Sequence, residues 1–136
     1  MRANELMIGD WVQGFLPDTY SQVYGVINDC RVAIVGRGAY MEVSNEDILP
    51  IPLTAEILEK NGFERRKLDG GAEEFVLTDD YYDITIEEWS DSIWVVRYDC
   101  TEMSTPHEQA VCGYVHQLQN FFRLSAPDEL ADNFKV

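Results

Sequence analysis

The chain has 136 residues, of which 46% are hydrophobic, and it carries 25 acidic against 10 basic side chains for a formal net charge of −15. This apolar content suffices for a packed core and excludes a disordered chain, and no apolar run approaches the roughly 20 residues of a membrane helix. The acidic excess disfavours direct binding to nucleic acid or to an anionic membrane, because such binding needs lysine and arginine to pair with phosphate.

Residues 1–50 are predicted to form a β-rich, barrel-like module. Four runs of β-forming residues follow one another at a spacing of roughly ten residues, separated by turn signals such as Asn28-Asp29. The runs are 7–12, 22–27, 31–35 and 39–43. Gly9-Asp10-Trp11-Val12 is similar to the opening strand of SH3-like barrels. We therefore expect a small antiparallel SH3-like barrel or a meander.

A boundary is predicted at Leu49–Thr54, where two prolines favour an extended connector over a helix. Residues 51–136 then form an α+β module that begins with a helix at about 54–61, with Thr54 as N-cap and Gly62 beyond its end. A three-stranded antiparallel sheet follows, with strands at about 75–77, 81–86 and 93–98. The two modules could pack into one compact unit.

The last predicted element is a helix at about 106–125. Thr105-Pro106-His107-Glu108 has the sequence of a capping box, with Thr105 as N-cap, and Pro127 limits the end of the helix. An apolar stripe at helical spacing favours this helix. The stripe consists of Val111, Tyr114, Val115, Leu118, Phe121 and Phe122. The helix should lie across one face of the three-stranded sheet.

The sequence offers no catalytic constellation, no cofactor motif and no metal site. Cys30, Cys100 and Cys112 are an odd, widely spaced set without a CxxC pair, so we expect buried free thiols in a cytoplasmic protein. The N-terminal segment also lacks the long apolar stretch of a signal peptide.

Three separated segments occur in an order that resembles a family of uncharacterised small proteins of anaerobic gut bacteria and of their prophages and phages. The first segment is Ala3–Val12, the second is Ile48–Thr54 followed by Glu56-Ile57-Leu58 and Asn61-Gly62-Phe63, and the third is Tyr114–Asn120. The resemblance spans about Arg2 to Leu130, except for 64–104, where no motif matches. It implies an accessory gene of a mobile element, and no activity is established for the family, so it transfers no catalytic residue.

Eight acidic residues within nineteen positions, without an intervening lysine or arginine, form the first candidate site. They are Glu73, Glu74, Asp79, Asp80, Asp83, Glu87, Glu88 and Asp91. Like charges this dense repel one another, so folding alone would not favour them. The segment could mimic a phosphate backbone in front of a DNA-binding protein, or form a solvated rim, or hold a cation, although EF-hand spacing is missing.

The polar side of the last predicted helix is the second candidate site. Cys112, His116, Asn120 and Arg123 are spaced to share one face, and Gln117 and Gln119 flank it. This face is mostly uncharged in a highly charged protein. It could recognise a partner or ligand, hold the two modules together, or be exposed to solvent.

These observations predict a non-enzymatic acidic interaction protein of a phage or prophage, which binds a basic or DNA-binding protein of host or phage. A more specific version is a DNA-mimicking inhibitor of a defence or DNA-processing protein. One alternative is a binder or enzyme for a small, nucleotide-type ligand with its site between the modules. Another is a structural or assembly component of a virion.

Overall fold

The structure, a computed structural model, describes residues 1–14, 19–36, 38–100, 108–126 and 128–136. It is an α+β fold with two antiparallel sheets, as the sequence predicts, and in both sheets neighbouring strands follow one another along the chain. The first sheet contains β1 (Trp11–Gln13), β2 (Tyr20–Asn28), β3 (Arg31–Gly36) and β4 (Ala39–Ser44). Short 3-10 helices at Ala3–Glu5 and Asn45–Asp47 flank this sheet.

The second sheet has five strands where the sequence predicted three. They are β5 (Glu64–Lys67), β6 (Glu73–Thr78), β7 (Tyr82–Ser90), β8 (Ile93–Cys100) and β9 (Glu108–Cys112). β5 carries four charged, exposed side chains, so it has no apolar alternation that could reveal it. Its pairing with β6 makes it an edge strand of the sheet.

In the described part of the second module, three α-helices accompany the sheet: α1 (Ala55–Lys60), α2 (Val115–Ser125) and α3 (Asp128–Asp132). The hydroxyl of Thr54 accepts the N–H of Ile57 at 3.3 Å and caps the start of α1. Gly62, with a φ of +87°, ends this helix in the left-handed region that glycine tolerates best. No described helix is both long and apolar enough to span a bilayer.

The predicted helix over 106–125 is wrong in its first half. Residues 108–112 form β9, which pairs with β8, and α2 begins only at Val115. Gly113 separates strand from helix, and glycine is costly inside a helix. Val111 therefore points away from the core and is 65% exposed, although it fits the helical stripe. The proposed cap Thr105-Pro106-His107 lies outside the described residues.

Two apolar cores lie under the two sheets. The smaller one joins Val12, Val23, Val32 and Ile34 of the first sheet to Leu6 and Ile48. In the larger one, Phe75 and Ile86 of the second sheet pack with Leu58 of α1 and with Leu118 and Phe122 of α2. Both helices thus cover one face of the second sheet, which we call the core face, and the opposite side is its outer face.

The proline-containing connector links the two modules through backbone hydrogen bonds at both of its ends. Leu49 and Gln13 of β1 exchange N–H···O=C bonds of 3.0 and 2.9 Å. Further along, Leu53 donates to the carbonyl of Gly113 at 3.0 Å, and Val115 donates to the carbonyl of Ile51 at 2.9 Å. The connector is therefore extended, as its prolines favour, and it borders the first sheet and the start of α2.

Candidate functional site

The eight acidic residues predicted as one surface are divided among three places. Glu74, Asp83 and Glu87 lie on the outer face of the second sheet, because they alternate along β6 and β7 with the core residues Phe75, Ile84 and Ile86. Glu73, Glu88 and Asp91 line a cleft of about 400 Å³ beside the core face, whereas Asp79 and Asp80 lie near the β6–β7 turn at the other end of the strands. The alternation of side chains along a strand explains this division.

Two pairs of like charges face each other directly on the outer face. Glu74 lies opposite Glu87 on the neighbouring strand, and Asp83 lies opposite Asp99. Such pairs have Cβ atoms about 4.5–5.5 Å apart, and like charges at this distance destabilise a sheet. Arg66, opposite Glu74, and Arg97, opposite Thr85, lie on the same face. The described part of this face therefore keeps an excess of carboxylates, which folding alone does not favour.

The predicted polar face of the last helix serves mainly to join the two modules. Arg123 of α2 donates to the carboxylate of Asp10, which is fully buried just before β1. Asn120 donates to the carbonyl of Glu5 at 3.0 Å and accepts from Arg123 at 2.8 Å. Of the alternatives that the sequence left open for Asn120 and Arg123, the structure thus shows contacts within the chain.

Gln117 and Cys112 do not belong to this contact. Gln117 is exposed, and its side-chain oxygen accepts the N–H groups of Gly113 and Tyr114 at 2.7 and 3.2 Å, which caps α2. Cys112 lies on β9 rather than on a helix, so its predicted place on one helical face is wrong. Burial raises the pKa of its thiol to about 11, which keeps it protonated and unreactive at neutral pH. Cys30, by contrast with the prediction, is exposed.

Gln119, which the sequence places only at the flank of the polar face, makes three hydrogen bonds in this contact. Its amide oxygen accepts the N–H of Trp11 at 2.9 Å, and its amide nitrogen donates to the carbonyls of Gly9 and Ala131 at 3.1 and 3.2 Å. It is fully buried. The available signal was its position on the apolar stripe of α2, where a polar side chain needs internal partners.

Gly9 and Trp11 complete the contact from the first module. Gly9 has a φ of +92°, and a Cβ placed on it would lie 3.0 Å from Nη2 of Arg123, so the position favours glycine on two grounds. The indole N–H of Trp11 donates to the carbonyl of Phe134 at 2.8 Å. The three segments that carry the family resemblance therefore meet in space: the first contacts the third through these bonds, and the second contacts it through the connector.

His116 lies on α2 and is only 1% exposed. Neither of its ring nitrogens has a hydrogen-bond partner among the described residues, and its ring stacks on that of Tyr114 at 5.9 Å between centroids. Burial lowers the pKa of His116, although the negative charges of Asp10 and Glu5 oppose this shift. The N-terminal ammonium group adds to the lowering. The neutral imidazole is therefore the form that fits the folded protein.

Acidification is expected to destabilise the protein through His116. Because its pKa in the folded state lies below its ordinary value of 6.5, the unfolded chain takes up a proton first as the pH falls. The free energy of unfolding should therefore decrease as the pH falls below about 6.5. Above this pH, titration of His116 should not change it. Urea unfolding of the wild type and of His116→Leu across pH 5–8 measures this as the difference between the two curves.

The test uses the difference between the two curves because Asp10 also makes stability depend on pH. Burial raises the pKa of Asp10, so acidification stabilises the folded state through this group, in the wild type and in the variant. Parallel curves for the wild type and His116→Leu would contradict a neutral, buried imidazole.

A cleft on the first sheet lies away from His116. It has a volume of about 780 Å³ and is lined by residues of the first sheet, among them Ser21, Ile34, Met41 and Val43. The predicted site between the modules instead coincides with the hydrogen bonds of Gln119 and the ion pair of Arg123. Among the described residues, no group of three or more histidine, cysteine, aspartate or glutamate side chains could hold a metal ion.

Comparison of the chain with protein-family models, with curated proteins and with solved structures finds no match.

Proposed function

We propose that the protein is a non-enzymatic, cytoplasmic interaction protein that binds a basic surface of another protein through the outer face of its second sheet. The observation that carries this proposal is the excess of carboxylates on this face, where Glu74 lies opposite Glu87 and Asp83 lies opposite Asp99. Like charges opposite each other are unfavourable in a sheet, whereas a cationic partner complements such a face.

The partner that we propose is a DNA-binding protein of a host or a phage, in keeping with the resemblance to proteins of mobile elements. The two like-charged pairs are four residues apart along β7, which corresponds to about 13 Å. Along one DNA strand, this distance is about the axial rise over four phosphate-to-phosphate steps. The outer face could thus compete with a phosphate backbone for arginine and lysine side chains, which is the DNA-mimicking version of the proposal.

Neutralising one like-charged pair should raise the stability of the fold and at the same time weaken binding of the partner. In the variant Glu74→Gln/Glu87→Gln, we expect the free energy of unfolding to rise by a few tenths to about 1 kcal/mol, because the repulsion is gone. We expect the same variant to lose capture of its partner from host lysate, and to lose competition with a DNA duplex for that partner. Capture by the wild type should itself weaken at high salt, since salt screens exposed charges.

A matched control removes the same number of charges from the first module. Asp29→Asn/Glu46→Gln changes two exposed carboxylates far from the second sheet and should leave capture and competition intact. Unaltered capture by Glu74→Gln/Glu87→Gln, or a partner that DNA does not displace, would contradict mimicry by the outer face.

A second candidate function, binding of a small ligand, is favoured by the cleft on the first sheet. Its volume of about 780 Å³ falls in the range typical of ligand sites. It combines the buried hydroxyl of Ser21 with the apolar side chains of Ile34 and Val43. We propose that the four-stranded meander is then a partial SH3-like barrel whose concave side receives the ligand. A thermal-shift screen of nucleotides distinguishes this candidate from the first.

A further inference from the structure

The cleft of about 400 Å³ at one end of the second sheet combines carboxylates with aromatic rings. It is lined by Glu73, Glu88, Asp91, Phe75, Trp89 and Trp94, together with Arg65. Trp94 and Phe75 are buried and form its floor, whereas Trp89 is 64% exposed. A large, exposed indole beside acidic side chains is a surface suited to an organic cation, since the ring face and the carboxylates both attract positive charge.

A β-bulge creates this combination. Glu88 pairs with Trp94 and Ser90 pairs with Ile93, so Trp89 is an extra residue without a partner on β8. In a regular strand, Glu88 and Trp89 would point to opposite faces of the sheet. The bulge changes the direction of the side chains locally, and both residues line the same cleft. One oxygen of Glu88 also accepts the N–H of Ser92 at 3.4 Å, which helps to orient the carboxylate.

The cleft already holds one guanidinium group of this chain between an aromatic ring and carboxylates. The guanidinium carbon of Arg65 lies 5.3 Å from the centre of the Phe75 ring. The same side chain forms ion pairs with Glu59 and Glu73, at 3.4 and 3.3 Å. Here a planar cation stacks on an aromatic face while carboxylates neutralise its charge. Trp89, Glu88 and Asp91 present the same chemistry on the solvent side.

We propose that this cleft binds an arginine side chain of a protein partner, with the guanidinium on the Trp89 ring and against the carboxylates of Glu88 and Asp91. Arginine fits better than lysine because its planar, weakly hydrated group stacks on rings and matches carboxylate geometry. This inference rests on the proposed function in one respect, namely that the partner is basic. It adds a specific contact in the cleft to the contact that we propose for the outer face.

The probe is an acetylated and amidated peptide of three arginines, titrated at 0.15 M salt, with the indole N–H signals followed by NMR. We expect a saturable shift of the Trp89 signal. The indole of Trp11, which donates to the carbonyl of Phe134, should not move and serves as internal reference. The equivalent citrulline peptide has the same shape without charge and should give no shift. An equal response to citrulline, or equally tight binding of a lysine peptide, would overturn the assignment.

Variants separate the cleft from general attraction by a protein of charge −15. Trp89→Ala keeps this charge and should weaken binding of the arginine peptide about fivefold or more, whereas Trp89→Phe should retain most of the affinity. The exposed position of Trp89 makes both substitutions compatible with folding. Affinity that is unchanged in Trp89→Ala overturns the inference.

The variant Glu74→Gln/Glu87→Gln distinguishes a failure of the cleft proposal from a failure of the outer-face proposal. Glu74→Gln/Glu87→Gln keeps Trp89, Glu88 and Asp91 and should weaken binding of the arginine peptide less than Trp89→Ala does, because alternation along β6 and β7 places the two carboxylates on the side of the sheet opposite the cleft. If Glu74→Gln/Glu87→Gln weakens binding of the arginine peptide and Trp89→Ala does not, the cleft is not the site, and the proposed function stands. If partner capture survives the outer-face variant while peptide binding depends on Trp89, the outer-face proposal fails and the cleft stands.

Discussion

Replacing Arg123 by methionine is expected to lower the free energy of unfolding by about 3 kcal/mol, because it leaves the fully buried carboxylate of Asp10 without its cationic partner. Methionine keeps the apolar part of the side chain, so the loss reports mainly on the missing charge and on the hydrogen bond to Asn120. Urea unfolding at pH 7 gives the change directly.

The double variant Asp10→Asn/Arg123→Met is the matched control. Burial raises the pKa of Asp10 despite the neighbouring arginine, which indicates that desolvation of its carboxylate exceeds the attraction between the two charges. Removing both charges should therefore cost clearly less than the sum of the two single substitutions. Strict additivity would show that the ion pair contributes no coupling between the modules.

Truncation of Leu118 to alanine is expected to cost 2–5 kcal/mol, roughly what a cavity in a well-packed core costs. Leu118 is 0% exposed, and it packs in the core that joins α2 to the second sheet. Equilibrium denaturation of Leu118→Ala measures the loss.

Val111→Ala is the informative comparison, because a helix over 106–125 would bury Val111 on the same stripe. On β9 its side chain is exposed, and its truncation should change stability by less than about 0.5 kcal/mol. A loss at Val111 as large as that at Leu118 would contradict the start of α2 at Val115.

The sequence was sufficient for the fold class and for elements with strong local signals. Thr54 and Gly62 mark the two ends of α1 because capping and a positive φ are local requirements. It was not sufficient for β9, because the residues 108–112 pair with β8 only through tertiary contact. A helical spacing of apolar residues cannot by itself exclude a strand that happens to lie within the pattern.

The sequence predicted which kinds of residue form the candidate site, but it did not predict where they lie in the fold. Counting carboxylates along the chain revealed an unusual charge density, but alternation on β6 and β7 distributes them over both sides of the sheet. Asp10 was predicted only as part of the opening strand Gly9-Asp10-Trp11-Val12, and its role depends on Arg123, which lies 113 residues away. Trp89 belonged to no predicted site, because a bulge depends on the register of two strands.

The bonds between the modules join residues that are very distant along the chain. Trp11 meets Gln119 across 108 residues and Phe134 across 123, whereas both sheets are built from neighbouring strands. Nearby strands close small loops and can pair early, but the distant bonds form only once residues 11 to 134 are all available. During synthesis, Trp11 can therefore reach these partners only after α2 and Phe134 have been made. We expect the joining of the modules to come later in folding than the pairing of strands within each sheet.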